Sequence, residues 1–542
     1  MMARSILVRH RAFAAVLCAG VALRAAAELG YRSAIWFNDS FDYLAIALRP
    51  RPDPMRPIGY PVLLWLLKPL HSFAVVTSVQ HVLGLGIAVL VYALLRGRFG
   101  LPGWAATLAA APVLLDAFQV QLEQLLLADT LFTFLVIAAA ALVCRSSAFG
   151  ERMNIWRAAV AGALLAAAVL TRPIGIVLIV IVICYLAVCH AGWRAITAAS
   201  LVACAPLAGY VLWFHALTGQ FAFDSTDGIY LWGRTAAFAD CAVIKPPPTQ
   251  TWLCPRLPAS QRAASSSQVW QPTSPFHWKH GQVFGAEENS LALHFALRAI
   301  AAQPGAYART VLASTGRAFT WDRTAYPTGY TASLYTFAGA KTWLPTWPEP
   351  DGRSAAGVAR AYADGHAAMV KAEPYASVMR WYQRYLYLRG PLLAAILLIP
   401  LATGITIFGS AVHRRLHSRR HGRLHSRLGR TLRRGTDEPR AKQQRDAHPT
   451  AAQRRASWLC WCSAVALLVI PPVTVDFDYR YVLPVVPFGC LAAALAVAPA
   501  ARRLAVNAGA THPGRTPGRS GSRSGTAAAS MRTVHELTRS DS

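Results

Sequence analysis

Acidic residues are scarce in this chain, and charged residues of either sign are few. The 542 residues include 25 Asp and Glu against 54 Lys and Arg, and charged side chains make up 15% of the sequence. Soluble domains usually carry about 25% charged residues. The length alone would allow several soluble domains, but the low charge argues against that class.

Long apolar runs occupy much of this sequence. Hydrophobic residues make up 54% of the chain, and its mean hydropathy is +0.33. Runs of 18 or more apolar residues are typical of membrane-spanning helices. The predicted fold class is therefore an all-α multi-pass membrane protein. We predict about ten spans, near 10–29, 74–95, 102–119, 126–144, 157–171, 174–191, 196–215, 390–411, 457–474 and 481–500.

The fifth and sixth spans are separated by the short motif "LTRPIG". Pro173 cannot continue a helix, and Arg172 resists burial in lipid. We predict that 157–191 forms a tight helical hairpin, with a single interrupted helix as the alternative.

Lys and Arg predict how the spans are oriented. If the ten spans alternate, the basic segments fall on one side, which should be cytoplasmic. Both termini are then cytoplasmic, in a plasma (inner) membrane protein. These segments are "MMARSILVRHR", "RGRFG", "CRSSAFGERMNIWR", "GWRA", "HRRLHSRRHGRLHSRLGRTLRR" and "ARRLAV".

Two long segments then face outward. The first is 30–73, which reads as short helices lying on the membrane, and the second is a mixed, mainly helical extracytoplasmic domain. The predicted parts are a transmembrane module at 1–215 that includes 30–73, the outer domain at 216–388, a span at 389–411, an Arg-rich cytoplasmic loop at 412–456, a hairpin of two spans at 457–500 and a disordered basic tail at 501–542.

The net charge of +29 does not require a nucleic acid partner. Much of it lies in the Arg-rich loop and the tail, which are expected to bind anionic membrane lipids. No aromatic residue stands between positions 413 and 455 to stack on bases.

Most of the ten cysteines lie in or beside apolar spans, where they behave as small apolar residues. Cys241 and Cys254 instead fall in the predicted outer domain, where oxidation is allowed. We predict a disulfide between them.

Asp39 and Asp42 lie in "WFNDSFDYLAIA", directly after the first span. Asp39 could merely cap a surface helix, and Asp42 could face water. Other polar residues recur at the outer ends of spans, and ionisable groups at membrane depth are usually functional. We predict that these candidates converge on one site: Arg56, His81, Glu123, Asp129, Arg172, Arg480 and Tyr481.

These residue types suit one reaction. Arginine is the natural partner of a phosphate group, and a carboxylate near a hydroxyl can remove its proton. The chemistry that fits is attack of an acceptor hydroxyl on a sugar whose leaving group is a lipid phosphate.

Four motifs in this order resemble the GT-C glycosyltransferases that use polyprenyl-phosphate sugars. They are "FNDSFDY", "MRPIGYP", "LADTLF" and "DYRYVLPVVP". The pattern is most similar to glycosyltransferase family 39, which includes protein O-mannosyltransferases, and to the related lipid A aminoarabinose transferases.

The resemblance implies roles for individual residues. Asp39 stands at the place of the catalytic acid, and Asp129 at that of a second acid that organises the acceptor pocket. Arg56 replaces a lysine that binds the lipid phosphate. Ser40 follows Asp39 where the family often has another acid, so Asp42 is a candidate substitute. Met55 replaces a carboxylate that helps to hold a metal, and we predict no metal and no other cofactor.

The leading hypothesis is an inverting membrane glycosyltransferase with an extracytoplasmic active site and Asp39 as general base. Its partners would be a polyprenyl-phosphate sugar and an acceptor glycan, lipid or protein. Two alternatives are a lipid-linked sugar flippase or exporter and a non-catalytic scaffold for cell-envelope assembly.

Overall fold

The computed structural model describes residues 10–145, 152–277, 283–421 and 450–510, with the backbone alone at 406–421 and 506–510. Most of the predicted Arg-rich loop at 412–456 and of the predicted tail at 501–542 lies outside the described side chains.

Helices dominate these ranges, because most of the sequence is apolar and Pro or Gly recurs where helices end. Two short strands, β1 (Tyr31–Arg32) and β2 (Val370–Lys371), pair in antiparallel fashion. The α-helices are α1 (Arg11–Gly30), α2 (Asn38–Leu48), α3 (Gly59–Leu67), α4 (Phe73–Ala93), α5 (Gly103–Leu115), α6 (Ala117–Gln124), α7 (Asp129–Arg145), α8 (Ile155–Thr171), α9 (Gly175–Val188), α10 (Trp193–Thr218), α11 (Asp227–Ala236), α12 (Cys241–Ile244), α13 (Ser265–Trp270), α14 (Ala286–Ala302), α15 (Pro304–Gly316), α16 (Gly329–Leu334), α17 (Ala355–Tyr362), α18 (Tyr375–Tyr385), α19 (Gly390–His421), α20 (Ala451–Thr474), α21 (Val485–Ala496) and α22 (Ala498–Ala510).

Within the described ranges, five helices are long and apolar enough to cross a membrane, and two bent helix pairs raise the number to seven. The chain is therefore a membrane protein. The prediction of ten spans is not confirmed, since α8 and α9 are apolar but shorter than 18 residues. The five are Arg11–Gly30, Phe73–Arg98, Trp193–Thr218, Ala451–Thr474 and Tyr479–Ala496, and the bent pairs are α5 with α6 and α18 with α19.

Helices α8 and α9 form the predicted hairpin. The backbone turns between Thr171 and Gly175. The N–H of Met153 donates a hydrogen bond to the carbonyl of Ala191 at 3.1 Å. This bond joins the chain just before α8 to the chain just after α9, so the two helices run side by side. The alternative of one interrupted helix is therefore wrong.

The segments outside the membrane helices build two further apolar cores. One surrounds Trp232 and Phe295 of 216–388, the predicted outer domain, and includes Met55 of 30–73, the predicted first outer segment. The other joins Phe41 of α2 to Tyr362 of α17. The later part of the outer domain thus packs directly on the first outer segment. The predicted disulfide between Cys241 and Cys254 is present, with a Cα–Cα distance of 6.1 Å.

The chain between α1 and α2 is held by backbone bonds as well as by packing. β1 pairs with β2, the Ile35 N–H donates to the Gln124 carbonyl at 3.0 Å, and the Leu126 N–H donates to the Ile35 carbonyl at 3.3 Å. These contacts leave little freedom to the chain just before α2. They fix the position of the first turn of α2, which carries Asp39.

Candidate active site

Asp39 lies in the first turn of α2, which begins at Asn38. Ser40 makes the local capping contacts: its Oγ accepts from the Phe37 N–H at 3.0 Å and donates to the Leu126 carbonyl at 3.0 Å. The Asp39 carboxylate instead binds two arginines and is 8% exposed. The interpretation of Asp39 as a helix cap is therefore wrong.

Arg56 connects both carboxylates of α2. Its Nη2 donates to Asp39 Oδ1 at 2.7 Å, and its Nε donates to Asp42 Oδ2 at 3.1 Å. Asp53 shapes the loop before it, since its Oδ1 accepts from the N–H groups of Met55 at 2.8 Å and Arg56 at 3.2 Å. With Met55 buried in the outer-domain core, the loop holds Arg56 over α2.

Arg480 approaches Asp39 from the other end of the chain, on the 3₁₀ turn Tyr479–Val482. Its Nη1 donates to Asp39 Oδ2 at 3.2 Å, and its guanidinium lies 5.0 Å from the ring centre of Phe37. Asp478 fixes the turn, because Oδ1 accepts from the Arg480 N–H at 3.2 Å and Oδ2 accepts from the Tyr335 hydroxyl at 2.8 Å.

The Nε of Arg480 is buried and has no hydrogen-bond partner among the described residues. The Oδ2 of Asp478 lies 3.6 Å from this Nε, which is too far for a good hydrogen bond. The Nε atoms of Arg96, Arg98 and Arg234 are also buried without a partner, but that of Arg480 lies beside the Asp39 carboxylate, where a ligand could satisfy it.

Arg172 and Tyr481 lie beside the cluster that Asp39, Arg56 and Arg480 form. Arg172 pairs with Asp129, and its guanidinium lies 4.9 Å from the ring centre of Tyr481, next to Arg480. A Cβ on Gly59 would lie 2.6 Å from the backbone of Leu170, so glycine is required where α3 meets the end of α8. The structure thus brings together seven of the predicted residues: Asp39, Asp42, Arg56, Asp129, Arg172, Arg480 and Tyr481.

Glu123 and His81 belong to a separate network. Glu123 pairs with Arg24 through bonds of 2.7 and 2.8 Å, and His81 Nδ1 lies 2.9 Å from Glu123 Oε2. Both carboxylate oxygens are already engaged, so these contacts are those of a structural network. A substrate-binding role for the two residues stays a prediction.

Sequence reasoning missed two residues next to these groups. Arg24 gave a signal, since it is a charge in the middle of the first apolar run, four residues before Glu28. Glu349 gave none, since it is one acid in a Pro-rich loop of the outer domain. Its carboxyl lies close enough to that of Asp42 for the two groups to interact, and Trp347 donates to its Oε1 at 3.0 Å.

The carboxyl groups of the site differ in their electrostatics. Burial favours a higher pKa for Asp39, but Arg56 and Arg480 outweigh it and hold the pKa below its usual value. For Asp42, burial outweighs Arg56 and raises the pKa. Burial, together with the charge of Asp42, raises the pKa of Glu349 to about 9. At neutral pH, Asp39 is therefore ionised and Glu349 carries a proton.

Among the residues that the structure describes, no group of three or more His, Cys, Asp or Glu side chains is arranged to hold a metal ion.

No protein-family model matches the chain, and no curated protein matches it. One solved structure that is similar is the Archaeoglobus fulgidus oligosaccharyltransferase in its apo form, at 13% identity and a TM-score of 0.36. The match covers 92% of this chain and 51% of the other, so the chain spans about half the length of that protein.

Proposed function

We propose that the protein is a membrane glycosyltransferase that moves a sugar from a polyprenyl-phosphate donor to an acceptor hydroxyl, with inversion, on the extracytoplasmic face. The observation that carries this proposal is the pair of arginines on Asp39, one of which keeps a buried, unpaired N–H. The GT-C resemblance of the sequence motifs supports it.

The arginines supply the site for the phosphate. Arg56 and Arg480 approach one carboxylate from opposite ends of the chain, and the spare Nε of Arg480 can add a hydrogen bond to an incoming oxyanion. Arginine binds phosphate through several N–H groups at once. Arg172, whose guanidinium lies over the ring of Tyr481, is a third candidate ligand for the phosphate. The turn that carries Arg480 directly precedes the apolar α21, so a lipid-borne phosphate would lie at headgroup depth.

Asp39 supplies the base. The acceptor oxygen attacks the anomeric carbon, the bond from that carbon to the phosphate oxygen breaks, and the phosphate leaves with the electron pair. Asp39 takes the proton that the acceptor hydroxyl loses. Attack from the side opposite the phosphate inverts the anomeric carbon and requires no covalent enzyme intermediate.

Donor binding should also raise the basicity of Asp39. Its pKa is held low by Arg56 and Arg480, which makes it a weak base. The phosphodiester of the donor, a monoanion, competes for the same guanidinium groups and offsets part of their charge. The donor would thereby raise the proton affinity of Asp39 at the moment when a base is needed.

The alternatives have less support. A flippase is expected to carry charge along the bilayer interior. Arg24 does lie in the apolar helix α1, where it pairs with Glu123 of α6. Their hydrogen-bonding groups are already used, however, by each other and by neighbouring residues. They have no spare donors that could bind a lipid headgroup as it crosses. A scaffold would not require an arginine with an unpaired buried donor.

The test is transfer from labelled polyprenyl-phosphate sugar by purified Asp39→Asn. We expect the rate to fall about 10²- to 10⁴-fold, the range of general-base contributions, with normal protein levels. Asp322→Asn is the matched control, because Asp322 is an exposed acid of the outer domain that pairs with Arg389.

Transfer by Asp39→Asn at the wild-type rate would show that Asp39 is not the base. If Asp42→Asn alone abolished transfer, the base would be Asp42. Movement of the labelled lipid across vesicles without transfer would support the flippase, and neither activity would support the scaffold.

A further inference from the structure

Two aromatic side chains of the predicted outer domain are exposed beside the first turn of α2. Trp343 is 56% exposed and Tyr330 is 46% exposed. The Tyr330 hydroxyl donates to Oδ1 of Asn38 at 3.0 Å, and Asn38 directly precedes Asp39 in the chain. This bond holds Tyr330 at the turn of α2 that carries the candidate base, and the reaction proposed above uses neither ring.

Lys341 connects the two rings. Its Nζ lies 4.3 Å from the ring centre of Tyr330 and 4.6 Å from that of Trp343, and it donates to the Tyr330 hydroxyl at 3.1 Å. A cation over an aromatic face is attracted to it and holds the ring in place. Because Lys341 interacts with both rings, these three residues form one unit, which we call the aromatic platform.

The chain that carries the platform, 330–349, follows one face of α2. Asn38 and Asp42 lie on this face, because residues four apart in a helix are neighbours on its surface. Tyr330 binds Asn38, and the carboxyl group of Glu349 lies close enough to that of Asp42 for the two groups to interact. The Asp42 side chain is still 24% exposed. A molecule on the platform would therefore lie next to an open side of the candidate active site.

The platform offers the groups that a saccharide needs. One face of a sugar ring consists of C–H groups, whose partly positive hydrogens are attracted to the negative face of an aromatic ring. The hydroxyls at the edge of that face need hydrogen-bond partners. An ammonium group has three N–H donors, of which Lys341 uses one on Tyr330, and the indole N–H of Trp343 makes no hydrogen bond among the described residues. An acyl chain would contact the rings but would leave these donors unpaired.

We propose that the aromatic platform binds a sugar ring of the acceptor, so that the acceptor is a saccharide or carries one. The sugar ring stacks on Trp343, and a hydroxyl further along the acceptor reaches Asp39. The role as acceptor rests on the proposed function, whereas the binding of a saccharide to the platform does not. No bond forms or breaks at the platform, which positions the acceptor for the transfer described above.

The first test measures saccharide binding by the full chain, in a detergent without a sugar headgroup, with saturation-transfer NMR. The probes are maltotetraose, cellotetraose and the tetramer of N-acetylglucosamine. Stacking uses the C–H face that these sugars share, so we expect at least one of them to bind. Trp343→Ala should weaken this binding roughly tenfold through the loss of one ring contact, and Trp343→Phe only about twofold, because it keeps an aromatic face.

Trp381→Ala is the matched control. Trp381 is 62% exposed, much like Trp343, but it lies on α18 beside Tyr385. This variant should bind the saccharide as wild type does. If none of the three probes binds, or if Trp343→Ala binds as tightly as wild type, the proposal is overturned, and the two rings would belong to the aromatic belt of the membrane interface.

The second test separates this inference from the proposed function. Transfer from polyprenyl-phosphate sugar to the tetrasaccharide that binds most tightly is measured as KM and kcat for the acceptor. Trp343→Ala should raise the acceptor KM roughly tenfold and change kcat by less than about twofold, because the ring holds the acceptor away from the reacting atoms. If wild type binds the tetrasaccharide but transfers nothing to it, the result counts against the proposed function and leaves the saccharide site in place. If wild type transfers sugar and Trp343→Ala keeps the wild-type KM, the platform is not the acceptor site and the proposed function stands.

Discussion

Two of the buried groups that pair arginine with carboxylate use their donors in different ways. In the interior group, Arg24 and Glu123 are 3% and 0% exposed, and Arg24 also donates to the carbonyls of Gly20 and Leu114. Glu123 accepts from Gln119 as well. In the outer group, Arg480 makes bonds of 3.2 and 3.4 Å and leaves its Nε unpaired.

The difference separates a structural ion pair from a candidate working one. A saturated buried pair holds helices together but has nothing left for a ligand. The outer group places Asp39, Asp42 and Asp478 near two arginines, Arg56 and Arg480. Because Arg480 has long bonds and an unpaired donor, this group can exchange partners. The geometry of the bonds, and not the residue types, therefore distinguishes the two groups.

Glu123→Ala should have the largest effect on stability. It leaves Arg24 buried without a counter-charge, and breaking a buried pair in this way costs about 3–5 kcal/mol. Asp39→Ala is the comparison. It should cost less, about 1–3 kcal/mol, because Arg56 keeps Asp42 and Arg480 keeps Asp478 nearby. Thermal unfolding in detergent measures both. Equal losses would mean that the outer group is as structural as the interior one.

Arg480→Lys should have a smaller effect. It should lower the transfer rate and leave stability largely unchanged. Lysine keeps the charge but cannot reach Asp39, Tyr481 and a phosphate at once. We expect the transfer rate to fall roughly tenfold, the loss of one charge-assisted hydrogen bond. Arg389→Lys, which changes an arginine outside the site, should leave the rate unchanged. A wild-type rate for Arg480→Lys would count against phosphate binding by Arg480.

Glu349→Gln should change the pH dependence of stability. The folded protein holds a proton on Glu349 up to a pKa of about 9, whereas the unfolded chain loses it near 4.5. Between these values the unfolded state binds fewer protons, so this group makes stability fall as pH rises. Glutamine cannot ionise and removes this contribution.

We therefore expect the melting temperature of wild type to fall more between pH 6 and pH 8.5 than that of Glu349→Gln. A group that keeps its proton in the fold and has lost it in the unfolded chain changes stability by about 1.4 kcal/mol per pH unit, so the difference should approach about 3 kcal/mol over this window. Parallel curves for the two proteins would show that Glu349 is ionised in the fold.

Much of the helical layout could be predicted from sequence. Every predicted span overlaps a helix of the structure, because apolar runs and Pro or Gly breaks act locally along the chain. The number of spans could not be confirmed, since the length of an apolar run does not show whether a short helix such as α8 crosses the membrane by itself. The grouping of Glu123 and His81 with Asp39 failed for a related reason. Residues at the outer ends of different spans share a depth, but packing decides which neighbours they face.

Apolar run length and the spacing of basic residues determined by themselves that this is a membrane protein and predicted how it is oriented. Those properties follow from the transfer of each helix into lipid, one segment at a time. Only the tertiary structure decided that Arg480 meets Asp39 across 441 residues, and that Arg24 captures Glu123 across 99. A guanidinium pairs with the carboxylate that packing brings within about 3 Å, and contacts at such separations depend on how all the intervening helices pack.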